Sequence, residues 1–266
     1  MIKKDLHTHT TYCDGNSSAR EMVLAAIEKG LETIGFSGHS YTAFDSSWCM
    51  SPEGTLLYKK EAAALKEEFA GRIEILCGIE QDLYSEYPAK GYDYFIGSVH
   101  YIRIPDTGQE LIDEAIRYGG YIYIGLDDSA SKQRSIADAY FGGDVYALAE
   151  RYFEEVGEWA VADTKPDIIG HFDLITKFNE KSAMYDTSNP RYRRAWKKAA
   201  DALLETGALF EINTGAISRG YRTTPYPSFE IQEYIASKGG KFIMSSDSHS
   251  AQTLLFKFEE FKREGM

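Results

Sequence analysis

Only three cysteines occur in the 266 residues, Cys13, Cys49 and Cys77, odd in number and scattered. They form no disulfide framework, which fits a reducing compartment and a cytoplasmic setting. Cys13, close to a candidate ligand strand, reads as a packed small hydrophobe. Long apolar runs are also missing. No stretch reaches the roughly 20 residues of a membrane span, and the opening Met1-Ile2-Lys3-Lys4-Asp5-Leu6-His7 lacks the apolar core of a signal peptide, so no membrane partner is expected. Positive charge is in short supply. Lys and Arg number 29 against 41 Asp and Glu, a net charge of −12, which disfavours the basic footprint of a nonspecific nucleic-acid binder. An anionic substrate stays compatible, because bound cations reverse a local field. No repeat, low-complexity tract or Pro/Gly/Ser linker divides the chain, so residues 1–266 read as a single domain. No feature specifies an oligomer.

What the chain does have is alternation. Short apolar runs over Lys4–His9, Thr33–Ser37, Ile73–Ile79, Tyr94–Val99, Asp167–His171, Leu209–Thr214 and Lys241–Ser245 read as strands. Between them, Ala19–Lys29, Leu57–Phe69, Val145–Ala162, Tyr192–Thr206 and Phe229–Lys238 carry apolar residues at helical spacing. Ser18 with Glu21 has the form of a capping box, and Gly30 and Gly207 look like helix stops. Strands alternating with helices point to a parallel sheet, closed or doubly wound. Seven strands in this length suit an α/β barrel of the (β/α) type. Residues 101–143 break the pattern and are expected to form a long loop excursion, as functional lids often do.

Histidine is rare as well, and its placement is informative. All six, His7, His9, His39, His100, His171 and His249, fall at or just beyond the C-terminal end of a candidate strand, as do Glu80 and Asp247. On a strand, His7 and His9 point to one face, so both imidazoles reach one ion. Asp247 and His249 repeat that spacing. Active sites of barrels gather at this end of the strands. A single such residue would more often be structural, but the joint placement favours a metal centre. Mixed imidazole and carboxylate donors suit zinc, iron or manganese better than calcium or magnesium.

The phrases Asp5-Leu6-His7-Thr8-His9-Thr10, Phe36-Ser37-Gly38-His39, Gly78-Ile79-Glu80, Gly97-Ser98-Val99-His100, Gly170-His171-Phe172-Asp173 and Ser246-Asp247-Ser248-His249 together resemble the polymerase-and-histidinol-phosphatase (PHP) superfamily. The likeness runs through nearly the whole chain. It is nearest to the stand-alone histidinol-phosphate phosphatases, through Asp127-Asp128-Ser129, Gly143-Asp144-Val145-Tyr146, Glu211-Ile212-Asn213-Thr214 with Arg219, and Pro225-Tyr226-Pro227-Ser228. Phe172 stands where proline is common, and Leu111–Tyr123 has no clear counterpart.

The resemblance implies a distorted (β/α)7 barrel with a trinuclear metal cluster at the C-terminal strand ends. It implies one ion held by His7, His9, Glu80 and Asp247, a second by Glu80, His100 and His171, and a third by His39, His249 and Asp14. Asp14 reads almost equally well as an Asp14-Gly15 turn. Glu80, Asp247 and His249 are then the expected catalytic residues. Arg219 and Lys177, with Arg222 a weaker candidate, are the expected phosphate-binding residues. The implied reaction is hydrolysis of L-histidinol phosphate by a metal-bridging hydroxide. Asp127, Asp128 and the tyrosines of Tyr118–Tyr123 are candidates for the cationic end of that substrate. A phosphoesterase acting on another small molecule or on nucleic acid is the alternative, and a non-catalytic metal-binding module a further one.

Overall fold

The apolar alternation resolves into short strands separated by amphipathic helices in a computed structural model that describes residues 3–86 and 90–264. Met1 and Ile2 of the N-terminal reading lie outside the described residues. In chain order the elements are β1 (Lys4–Asp5), α1 (Ala19–Glu28), β2 (Thr33–Phe36), α2 (Pro52–Glu68), β3 (Glu74–Cys77), β4 (Ile79–Asp82) and β5 (Phe95–Ser98). There follow β6 (Tyr101–Pro105), β7 (Ala115–Tyr118), β8 (Tyr121–Gly125), α3 (Ala130–Tyr140), α4 (Val145–Glu158), β9 (Ile168–Ile169) and α5 (Asn179–Ser182). The last are α6 (Pro190–Leu204), β10 (Leu209–Asn213), α7 (Gly215–Ser218), α8 (Phe229–Ser237), β11 (Phe242–Ser245) and α9 (Phe258–Phe261).

Local chemistry sets the helix starts. Ser18 Oγ accepts from the Glu21 backbone N–H while Glu21 Oε2 accepts from the Ser18 N–H at 2.8 Å, which closes the capping box on α1. Helix α2 begins before Leu57 because Ser51 caps it and Pro52 occupies its first turn. Asn189 and Pro190 do the same for α6. Helix α4 buries Val145, Leu148, Ala149, Tyr152, Phe153 and Val156 along one stripe, each large side chain stabilising by roughly 1.5–3 kcal/mol. That stripe packs on α6, where the Phe153 and Tyr192 rings meet edge to face at 5.5 Å.

The parallel strands form two sheets, one ordered β1-β2-β3 and the other β11-β10-β9-β5-β4. Single parallel bridges join their edges, at Thr8 with Ser248 and at His39 with Glu80. The expected strand over Ile73–Ile79 is longer, running to Asp82, and passes from one sheet to the other at Gly78. A Cβ at Gly78 would sit 2.3 Å from the Tyr94 ring. The Tyr94 hydroxyl donates to the carbonyls of Leu6 (2.5 Å) and Phe36 (3.1 Å), pinning three strands. Leu6, Tyr94, Ile96, Ile168 and Ile243 make a small apolar cluster on the N-terminal side of the histidines.

The excursion over 101–143 is not a loop. It is an antiparallel sheet of order β6-β8-β7 followed by α3. Tyr118 pairs with Tyr121 across Gly119 and Gly120, whose φ values are +57° and +84°. Two positive φ values in a two-residue turn match the twist of the flanking strands, and glycine adopts them without steric cost. The alternation Tyr121-Ile122-Tyr123-Ile124 is a strand signal. The Gly-rich turn beside it masks that signal in the sequence.

Candidate metal centre

Every histidine follows the C-terminal end of a parallel strand: His7 and His9 after β1, His39 after β2, His100 after β5, His171 after β9, and His249 after β11. The strands run together, so these side chains meet. The His9 ring lies 5.2 Å from His7, 4.3 Å from His39 and 4.1 Å from His249, and His100 lies 4.9 Å from His171. Glu80 on β4 stands among them. Its Oε2 is 2.9 Å from His39 Nδ1, 3.2 Å from His7 Nε2 and 3.5 Å from His9 Nε2. Its Oε1 is 3.0 Å from His171 Nε2 and 3.6 Å from His100 Nε2. Asp247 Oδ1 approaches His9 Nε2 at 3.4 Å and His249 Nδ1 at 3.6 Å.

Asp14 reaches the same cluster, its Oδ2 lying 3.0 Å from His249 Nε2 and its Oδ1 3.5 Å from His39 Nε2. The Asp14-Gly15 turn is present too, because a Cβ on Gly15 would fall 2.5 Å from the Thr10 nitrogen. Asp247 departs from the expected strand alternation. Its φ is +48°, past the end of β11, a left-handed conformation that Asp tolerates better than most residues. That turn, not the pleat, brings its carboxylate to the imidazoles.

Among the described residues, three donor groups have ligand atoms within 4.8 Å of one another: His9, Asp14, His39 and His249; His7, His9 and Glu80; and His39, Glu80 and His100. His9, His39 and Glu80 each belong to two of them, a partition different from the three sets implied by resemblance. His7 Nε2, His9 Nε2, His39 Nδ1 and Glu80 Oε2 are buried, and none makes an aligned hydrogen bond despite their proximity. Buried polar atoms left this way cost free energy, and nitrogen and carboxylate donors converging on one point suit divalent transition metals. Charge points the same way. Burial opposes charge on His7 and His39, but Glu211 and Glu80 lift the His7 imidazole, and Glu80 and Asp14 the His39 imidazole, well above the ordinary pKa. His9 is pushed down to about 3 by burial and by His249 and His39. Against the penalty of burial, His7 and His39 hold Glu80 well below the carboxylate range, as Arg219 and His7 hold Asp247. The carboxylates demand positive charge, which protons or metal cations can supply.

Further side chains fix the ligand atoms. His7 Nδ1 donates to Glu211 Oε2 at 2.8 Å, and His100 Nδ1 donates to Asp82 Oδ2 at 3.2 Å. Ser98 Oγ donates to Glu80 Oε1 at 2.6 Å. Asp82 follows Glu80 by two residues on β4, and Asn213 follows Glu211 by two on β10. The i, i+2 spacing was the signal that sequence reasoning left unused for these pairs.

The cluster opens into a cavity of about 470 Å³, lined also by Arg219, Lys177, Trp48, Asp127, Asp128, Asp113 and Glu114, a size suited to a small-molecule ligand. Arg219 Nη2 donates to Asp247 Oδ2 at 2.9 Å, and Nη1 donates to the Asp247 carbonyl at 3.0 Å. Lys177 Nζ donates to the Asp127 carbonyl at 2.7 Å. Arg222 does not line this cavity. It is buried over the Tyr226 ring, 4.3 Å from the centroid, and donates to Thr176 Oγ1 at 2.6 Å. Nor do Tyr118, Tyr121 and Tyr123 line it; from that hairpin Ile116 and Gly125 do. A larger groove of about 860 Å³ runs between α4 and α6 and holds none of the histidines.

Comparison with known proteins bears on the fold and the family. Histidinol-phosphatase of Bacillus subtilis is 26% identical over 98% of both chains. A solved chain from Listeria monocytogenes superposes with a TM-score of 0.77 at 22% identity, covering 98% of this chain and all of that one. A histidinol phosphate phosphatase from Lactococcus lactis, solved with Zn, L-histidinol and phosphate, superposes with a TM-score of 0.65 at 20% identity over 94% of this chain and 87% of its own. These likenesses establish a shared α/β fold. The family profile of the PHP domain matches residues 5–215, and the chain belongs to the PHP domain family.

Proposed function

We propose that this chain is a metal-dependent phosphomonoesterase that hydrolyses L-histidinol phosphate to L-histidinol and inorganic phosphate in the cytoplasm. The observation that carries the reading is the convergence of all six histidines with Glu80, Asp247 and Asp14 in one cluster, with His7 and His9 buried behind the others and His39, His100, His171 and His249 lining one cavity. His7, His9, Asp14, His39, Glu80, His100, His171, Asp247 and His249 would hold up to three divalent ions, with zinc, iron or manganese fitting the donor set. When bound, such ions neutralise charge on the phosphoryl oxygens and make water acidic enough to act as a nucleophile near neutral pH. The same reading takes the two parallel sheets as one distorted (β/α)7 barrel, supported by the bridges at Thr8–Ser248 and His39–Glu80.

The protein's own groups do the binding. Arg219, on the cavity wall beside Asp247 and His249, is placed to hold a phosphoryl oxygen by charge-assisted hydrogen bonds. Lys177, which also lines the cavity and bonds Asp127, adds a second cation. The carboxylates Asp113, Glu114, Asp127 and Asp128 on the same wall suit a leaving group carrying an amine and an imidazole. Glu80, Asp247 and His249 are the side chains nearest the reacting centre in this reading. The family relationship and the name borne by the Bacillus subtilis relative support the substrate. Purified, metal-loaded protein is expected to turn over histidinol phosphate in preference to generic phosphomonoesters and single-stranded DNA. Negligible release of phosphate from histidinol phosphate, beside robust activity on either alternative, would overturn the substrate assignment.

A further inference from the structure

We infer that Glu211 is a positioning residue, a buried carboxylate that sets the ring tautomer and aim of His7 and seats His171 without itself meeting an ion. The inference rests on the metal reading above. Glu211 is 1% exposed. Its Oε2 accepts the His7 Nδ1–H at 2.8 Å, and its Oε1 accepts both the His171 backbone N–H at 2.5 Å and Asn213 Nδ2 at 2.8 Å. All three partners are donors, so only a group with two acceptor oxygens satisfies them. Asn213, on the same face of β10, passes its Nδ2 on to Asp247 Oδ2 at 3.3 Å, and its Oδ1 accepts from the Gly215 N–H at 2.8 Å. One strand thereby ties together candidate ligands that follow β1, β9 and β11.

The chemistry follows from the imidazole. A neutral ring has one lone pair, and the hydrogen bond at one nitrogen decides which nitrogen carries it. With its Nδ1–H donating a hydrogen bond to Glu211, His7 presents the Nε2 lone pair toward Glu80, 3.2 Å away, and Asp247, 3.8 Å away. Glu211→Gln keeps the shape but has one acceptor oxygen. If that oxygen stays with the His171 N–H and Asn213, the amide NH2 faces His7 Nδ1 and requires a lone pair there. The ring proton must then sit on Nε2, the atom a cation needs. A purely structural Glu211 would give a variant that loses stability but holds metal as before.

The test compares zinc-loaded wild type with E211Q, dialysed against graded chelator buffers, with bound zinc counted by elemental analysis. Histidine-selective 15N NMR of the same samples reads the tautomers, and only six histidines contribute signals. E211Q is expected to release zinc at roughly 10–100-fold higher free-metal activity than wild type and to lose the His7 Nδ1–H signal. Equal retention with an unchanged His7 tautomer would overturn the inference while leaving the metal reading intact. A wild type that holds no zinc would overturn both. Should E211Q not fold, the wild-type spectrum decides: a His7 ring protonated at Nδ1 supports the assignment, and one protonated at Nε2 contradicts it.

Discussion

Two arginines three residues apart divide the work of binding and of structure. Arg219 stands on the cavity wall, whereas Arg222 lies against Tyr226 with Asp173 at 3.9 Å. Arg219→Ala is expected to lower kcat/KM for the phosphate ester by roughly 10–100-fold, the loss of a charge-assisted contact of about 1.5–3 kcal/mol, with a smaller fall in unfolding midpoint because Asp247 keeps the His9 and His249 imidazoles beside it. Arg222→Ala should do the opposite. It leaves Asp173 buried without its cation and is expected to cost about 3 kcal/mol of stability in urea unfolding, with KM near the wild-type value. The sequence alone cannot separate the pair, because both are arginines in one short segment and only the turn after α7 sends them to different sides. The histidines were legible for the contrary reason. Their strand-end positions needed nothing but the apolar runs that precede them. Asp82 and Glu211 were harder to read, because i, i+2 spacing shows that Glu80 and Asp82, or Glu211 and Asn213, share a strand face but not which of them hydrogen-bonds a ligand.

The elements legible in the sequence are those with one clear period. The five helices and seven strand segments expected from spacing all occur, with α2 and α6 beginning earlier at their Ser51-Pro52 and Asn189-Pro190 caps. Residues 101–143 defeated the pattern because their sheet is antiparallel and appended, with exposed tyrosines and a Gly119-Gly120 turn. This sheet is fastened to α4 by Glu155, which is buried and accepts from Tyr84, Arg151 and the Arg103 backbone N–H. It also carries Glu114 and Ile116 to the cavity wall. Gly120→Val meets open space but is strained at φ +84°. It is expected to destabilise the hairpin by about 1–2 kcal/mol, visible as faster amide exchange confined to β7 and β8, and to raise KM more than it lowers kcat. Unchanged exchange there would show that the turn does not hold the wall in place.

At the scale of the whole molecule, an acidic chain of net charge −12 concentrates carboxylates and imidazoles in one buried cluster. Cations bound there would stabilise only the folded state, by about 2.7–4 kcal/mol per site at 100–1,000 times the dissociation constant. Chelation is therefore expected to lower the Tm by on the order of 10 °C, with recovery on adding zinc or manganese but not sodium. No described helix is long and apolar enough to cross a membrane. The most direct measurement is anomalous scattering from crystals of protein purified without chelators, recorded at the absorption edge of the metal found by elemental analysis. More than one peak is expected among His7, His9, His39, Glu80, His100, His171, Asp247 and His249. A map without peaks there, from protein that nevertheless hydrolyses histidinol phosphate, would contradict the metal centre on which the proposed chemistry depends.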